Sequence, residues 1–113
     1  MSARRGEIWL IDFGESVGRE QSGTRPALVV SADALNDGLA GVVIVVPLTT
    51  AHRDLPSHIE IDNDEASGLD EVSYAKCEDI KSVSELRLIT RLGVVNEQAM
   101  FGVARALSFL IDL

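Results

Sequence analysis

The sequence predicts a mainly β domain: a small, strongly bent antiparallel sheet, barrel-like in shape, with one C-terminal helix. Three observations carry this. Several short alternating or wholly apolar runs lie close together, separated by turn residues. The run VVIVVPLT, Val42–Thr49, is β-branched and nearly all apolar, as a strand buried on both faces requires. Only the last segment changes period. There Met100, Val103, Ala104, Leu107, Leu110 and Ile111 recur at spacings of 3, 1, 3, 3 and 1, one face of a helix.

Each element follows from its own residues. GEIWLIDF, Gly6–Phe13, alternates as a first strand, with Trp9 and Phe13 on one face toward the core. GESVGREQSGT, Gly14–Thr24, is polar and Gly-rich and long enough to be a functional loop. PALVVS, Pro26–Ser31, is the second strand, with Arg25 at its start. ADALNDGLAG, Ala32–Gly41, makes a turn or a single helical turn. Val42–Thr49 is the central strand, and Pro47 is expected to turn its end into an edge or a bulge. SHIEID, Ser57–Asp62, and VSYAKCED, Val72–Asp79, are half-buried strands, and Leu86–Leu92 is a last strand ending at Gly93. Asn96 is a good N-cap and Glu97 suits the helix dipole, so a helix is expected over about Glu97–Ile111.

The totals bound the function. The 113 residues are expected to form one domain over 1–113, and 46% hydrophobic residues suffice for its core. No apolar run approaches the roughly 20 residues of a membrane helix, and Glu7 and Asp12 interrupt any signal-peptide core. The expected location is the cytoplasm. A lone Cys77 excludes an internal disulfide and gives no metal cluster; it reads as a small core hydrophobe. The net charge of −8 argues against a generic nucleic-acid binder. That charge is uneven: residues 1–53 carry a net of −1 and residues 54–113 a net of −7. Arg25 therefore lies outside the most acidic stretch, Asp54–Glu71.

Few residues are candidates for chemistry. No P-loop, HExxH, GxSxG or CxxC pattern is present. Asp62-Asn63-Asp64-Glu65 fails the calcium-loop pattern, because Ala66 and Ser67 stand where a ligand and the glycine belong; it reads as a solvated turn. Arg25 is either a rim arginine or an anion site. Pro26 favours an extended backbone at Arg25 and so aims its guanidinium, a fork suited to phosphate oxygens. Thr49 and Thr50 close the central strand, where threonine often reflects β-propensity alone. If that strand runs antiparallel beside the Arg25 strand, Thr49 and Arg25 meet at one rim. Glu20 is a solvated carboxylate or a general base. His52 follows Thr49 closely enough to touch a substrate, whereas His58 reads as structural or exposed.

Taken together, RRGEIWLIDFG, VGREQSGTRPALVVS, VVPLTT, LPSHIEI, CEDIKSVSELRL and a helix ending ALSFLIDL closely resemble the MazF/PemK (Kid) family of type II toxin endoribonucleases. The likeness runs in order over about residues 4–113. It implies an SH3-like barrel of the CcdB/PemK kind, a homodimer, and cleavage of single-stranded RNA, chiefly mRNA, without a metal or other cofactor. It also implies inhibition by a cognate MazE-like antitoxin lying in the RNA groove. The catalytic arginine falls on Arg25, the catalytic threonine on Thr49 and the glutamate of the EQ motif on Glu20. RNA contacts fall on Val17, Arg19 and Asp79; Gln21, Thr50 and His52 are grouped with them as RNA-binding. The chain departs from the family in its pI of about 4.6, and in Asp79, which is an amide in some relatives. A CcdB-like gyrase poison and an inactive toxin-fold interaction module are the alternatives. Neither needs Arg25 or Thr49.

Overall fold

A computed structural model describes residues 2–15, 18 and 23–113. Among these residues, seven strands form an antiparallel sheet that a helix follows. The strands are β1 (Glu7–Asp12), β2 (Thr24–Val29), β3 (Val42–Thr49), β4 (His58–Ile61), β5 (Ser73–Lys76), β6 (Lys81–Ser84) and β7 (Leu88–Val94). A single helical turn, α1 (Asp33–Asn36), separates β2 from β3, and α2 (Glu97–Leu110) ends the fold. The mainly β class with a C-terminal helix is as the sequence predicts.

The strand order is β4-β5-β3-β2-β1-β7, and β6 pairs with the first half of β3. A 3-10 turn at Glu85–Arg87 connects β6 to β7. Val83 of β6 and Leu88 of β7 pack into one cluster with Trp9, Ile11, Ala27, Val29, Val43 and Val45. The sheet has to curl for its distant strands to share that core, and the curl is the barrel-like shape. Alternation then builds a second core on the other face. Ile8, Leu28, Val46 and Leu48 point there and meet Ile61, Ala75, Cys77 and Val103 of α2. β3 is thus buried on both sides, as its composition demands. Burial of each such side chain stabilises by about 1.5–3 kcal/mol.

Several expectations are sharpened or corrected. Pro47 makes no break in β3, which continues to Thr49 as expected, and of the two expected outcomes it is a local edge, paired with Ala27 on one side only. The proline sits where β3 changes partner: Val45 is the last residue paired with β6 and Leu48 the first paired with β5. A missing N–H costs least where no ladder partner waits on that side. Val72–Asp79 is not one strand. It splits into β5 and a 3-10 turn, Cys77–Asp79. β6 escapes sequence reading because KSVS offers a single apolar residue. The last strand begins at Leu88 rather than Leu86, since Ser84 Oγ accepts the Leu86 N–H at 3.2 Å and caps the intervening turn.

Gly93 lies inside β7 rather than after it, and the reason is close approach. A Cβ there would sit 2.2 Å from the Ala66 carbonyl oxygen, while the Val94 N–H donates to that same oxygen at 2.8 Å. The acidic turn is exposed at Asp62–Glu65, but its end is welded onto β7 through this contact. Asn96 caps α2 as expected, its Oδ1 accepting from Ala99 N–H at 2.7 Å. The buried face of α2 is Ala99, Met100, Val103, Ala106 and Leu107; Leu110 and Ile111, expected on that face, are exposed.

Candidate active site

The two strands carrying Arg25 and Thr49 are neighbours and run antiparallel. Ala27 faces Pro47, Leu28 faces Val46 and Val29 faces Val45. Continuing that register by two residues brings Arg25 across from Thr49. The ladder itself stops at Ala27, one residue after Pro26, which has no N–H to extend it. Arg25 shares its face with Ala27 and Val29, and Thr49 shares its face with Val43 and Val45, so both belong to the inner face of the curl at one rim. Arg25 is exposed and Thr49 half-buried.

Local chemistry fixes this rim. Gly14 and Gly23, both left-handed at φ +72° and +74°, close the base of the loop before Arg25. The Gly23 N–H donates to Gly14 O at 2.8 Å, and the Phe13 N–H donates to Gly23 O at 2.9 Å. Thr49 Oγ1 accepts from the Ala51 N–H at 3.2 Å and turns the chain after β3. Beyond the turn, Thr50 and His52 are exposed. The His52 ring lies flat on Tyr74, with centroids 4.8 Å apart and planes 3° from parallel. Tyr74 is the residue paired with Thr49 across β3 and β5.

Glu20, Val17, Arg19 and Gln21 lie outside the described residues. Asp79 sits in the 3-10 turn after β5, its carboxylate 2.9 Å from Lys76 Nζ. His58 is structural: its side chain is 4% exposed, and Nε2 lies 2.7 Å from Glu78 Oε2. Burial works to raise the Glu78 pKa, but hydrogen bonds from His58, the backbone and Ser57 overcome it and hold the carboxyl below its ordinary value. Cys77 is buried, and its thiol is pushed up to about 12, first by burial and then by the Glu78 charge.

Sequence reasoning missed two residues near this rim. Tyr74 was legible only as one position in an alternating strand; its pairing with Thr49 is tertiary. Lys81 lies with its Nζ 5.9 Å above the Phe13 ring, beside the end of β1 that Thr24 flanks. A groove of about 590 Å³ occurs elsewhere, lined by Pro56, Ile59, Gly102, Phe109 and Leu110 on the helix-covered face. It carries none of the residues singled out for chemistry. Among the described residues, no group of three or more His, Cys, Asp or Glu comes together in a way that would hold a metal.

Comparisons with known proteins agree on one lineage. Residues 4–111 match a family described as PemK-like, MazF-like toxin of type II toxin-antitoxin system. Endoribonuclease MazF9 of Mycobacterium tuberculosis is 32% identical, over 97% of each chain. Endoribonuclease EndoA of Bacillus subtilis is 30% identical, over 100% of this chain and 97% of its own. Among solved structures, MazF from Deinococcus radiodurans superposes with a TM-score of 0.85 at 23% identity, covering 100% of this chain and 99% of that one. An endoribonuclease from a mycobacterial species, solved with its cognate antitoxin, gives 0.82 at 26% identity, covering 99% and 97%.

Proposed function

The chain belongs to the PemK-like, MazF-like toxin family of type II toxin–antitoxin systems, and from that premise we propose that it is an endoribonuclease cutting single-stranded RNA, chiefly mRNA, in the cytoplasm. Residues 1–113 act as one catalytic domain. The observation that carries the reading is the antiparallel pairing of β2 with β3, whose register, continued two residues past its last pair, sets Arg25 opposite Thr49.

RNA supplies its own nucleophile. A ribose 2′-OH attacks the adjacent phosphorus, the P–O5′ bond breaks, and the products are a 2′,3′-cyclic phosphate and a 5′-OH. Because the nucleophile is the RNA's own hydroxyl, no metal-bound water is required; the 2′-OH gives up its proton, and Arg25, as a secondary role, delivers one to the leaving 5′ oxygen. The protein holds the strand in line and offsets charge building on the phosphorane oxygens. A guanidinium keeps its charge and grips two oxygens at once, which assigns that stabilisation to Arg25. Thr49 donates its hydroxyl to the same phosphate. Glu20 takes the 2′-OH proton.

Val17, Arg19, Gln21, Thr50, His52 and Asp79 contact the strand around the scissile link. Lys81 adds positive charge at the same end of the barrel and partly offsets the acidic surface. A MazE-like antitoxin neutralises the enzyme by occupying the RNA groove; that such a toxin has an antitoxin partner at all is supported by the mycobacterial endoribonuclease solved with its cognate antitoxin. A homodimer is supported by exposed Phe101, Phe109 and Leu113, apolar area that a second copy would cover.

Cleavage of a long RNA in EDTA tests the proposal. Metal-free cutting that leaves a 5′-OH, lost when the scissile nucleotide is 2′-deoxy, is the expected result. No cutting, together with trapping of a gyrase–DNA cleavage complex, would move the chain to the gyrase-poison reading.

A further inference from the structure

Thr49 pairs with Tyr74, and Tyr74 pairs with Glu60 on β4. With Arg25 across from Thr49, four adjacent strands place Arg25, Thr49, Tyr74 and Glu60 in one row. Alternation puts all four on one face, because their strand neighbours Leu28, Leu48, Ala75, Ile59 and Ile61 all pack on the other. Strands in a sheet are about 4.8 Å apart, so Tyr74 stands one step from Thr49 and about 10 Å from Arg25. The row therefore runs from a cation through a hydroxyl to an aromatic ring and ends on a carboxylate.

We propose that His52, held flat by Tyr74, is a stacking platform for the nucleobase next to the phosphate bound at Arg25 and Thr49. This rests on the nuclease reading above. A nucleotide has matching parts: an anionic phosphate and, one ribose away, a flat base. Glu60 at the far end repels phosphate, so only one orientation along the row is favourable.

The rings argue for the platform themselves. The near-parallel stack presents one broad face, and its outer member, His52, is exposed while Tyr74 beneath it is half-buried. An exposed imidazole gains little from packing alone. Single-stranded RNA is bound by splaying its bases onto such rings. In this arrangement His52 contacts the base, and Tyr74 is a positioning residue acting through it.

The test uses a short single-stranded RNA covering a mapped cleavage site, with 2′-deoxyribose at the scissile nucleotide so that binding is read without cutting. 2-Aminopurine replaces each base flanking the scissile link in turn. One position is expected to be quenched on binding, and His52→Ala abolishes that quenching. His52→Ala weakens binding roughly 5- to 150-fold, the range for losing one base–aromatic stack. Tyr74→Leu weakens it similarly, and Tyr74→Phe restores it. With cleavable RNA, the larger share of the loss falls on KM.

An abasic nucleotide at the quenched position supplies the decisive cycle. It weakens binding to the wild type, and His52→Ala then adds no further loss. Equal affinity of His52→Ala and wild type for the intact RNA, or losses that simply add, overturns the platform. RNA cutting that needs Arg25 but ignores His52 refutes the platform alone. A wild type that neither binds nor cuts RNA refutes the nuclease reading and the platform with it.

Discussion

Arg91 Nε donates to Glu7 Oε2 at 2.6 Å, tying β7 to β1 at a carboxylate that also accepts the Trp9 indole N–H at 3.0 Å and the Arg4 backbone N–H at 2.7 Å. Glu7 is buried, so its charge survives only because three donors converge on it. Burial works to raise its pKa, and the hydrogen bonds from Trp9, Arg4 and Arg91 overcome this and hold it below the ordinary glutamate value.

Replacing Glu7 by alanine strands those donors. The expected cost is about 1.5–3 kcal/mol, the range for hydrogen bonds to a charged group. Urea unfolding measures it; an unchanged midpoint contradicts the account.

The depressed pKa values of Glu7 and Glu78 also fix the sign of the acid response. A carboxyl whose folded pKa is lowered stabilises fully above the unfolded glutamate value and loses that contribution as pH falls through the folded one. Stability should therefore decline below about pH 4.5, the ordinary value for glutamate. Glu7→Gln and Glu78→Gln should each flatten the decline in denaturant midpoints measured across that range.

Gly93→Ala is expected to cost about 3 kcal/mol or more, because the new methyl meets backbone rather than a flexible side chain. Thermal melting checks this. A melting temperature close to wild type would show that the Ala66–Val94 contact is looser than described.

Cys77 should resist iodoacetamide at neutral pH in the folded protein and react once urea exposes it. Its thiol is buried and its thiolate disfavoured until about pH 12. Rapid labelling of the native chain would contradict its place in the core.

Much of the fold was legible because it rests on local rules. β1, β2 and β3 announce themselves by β-branched and alternating residues, and Asn96 marks the start of α2. β6 was not legible, since KSVS acquires its strand character only from pairing with β3. Pro47 was legible as an edge position, but its cause, the change of partner from β6 to β5 beside it, is tertiary. At the site, Pro26 pointed to Arg25 and the close of the apolar run pointed to Thr49. That the two meet at one rim was legible only on the condition that their strands pair antiparallel, a condition the β2–β3 ladder meets, whereas the Tyr74–His52 stack was not legible at all. Two rings remote in the chain meet only after β3 and β5 are paired.

The central claim is that Arg25 and Thr49 act on one phosphate. Single-turnover cleavage by Arg25→Ala, Thr49→Val and the double variant tests it most directly. Each single change is expected to slow cleavage by about 10²–10³-fold, as removal of one preorganised donor does, with the fold intact by circular dichroism. The double variant should lose much less than the product of the two, because groups that serve one transition state are not additive. Undiminished cleavage by Arg25→Ala, or two losses that multiply independently, would contradict a shared site.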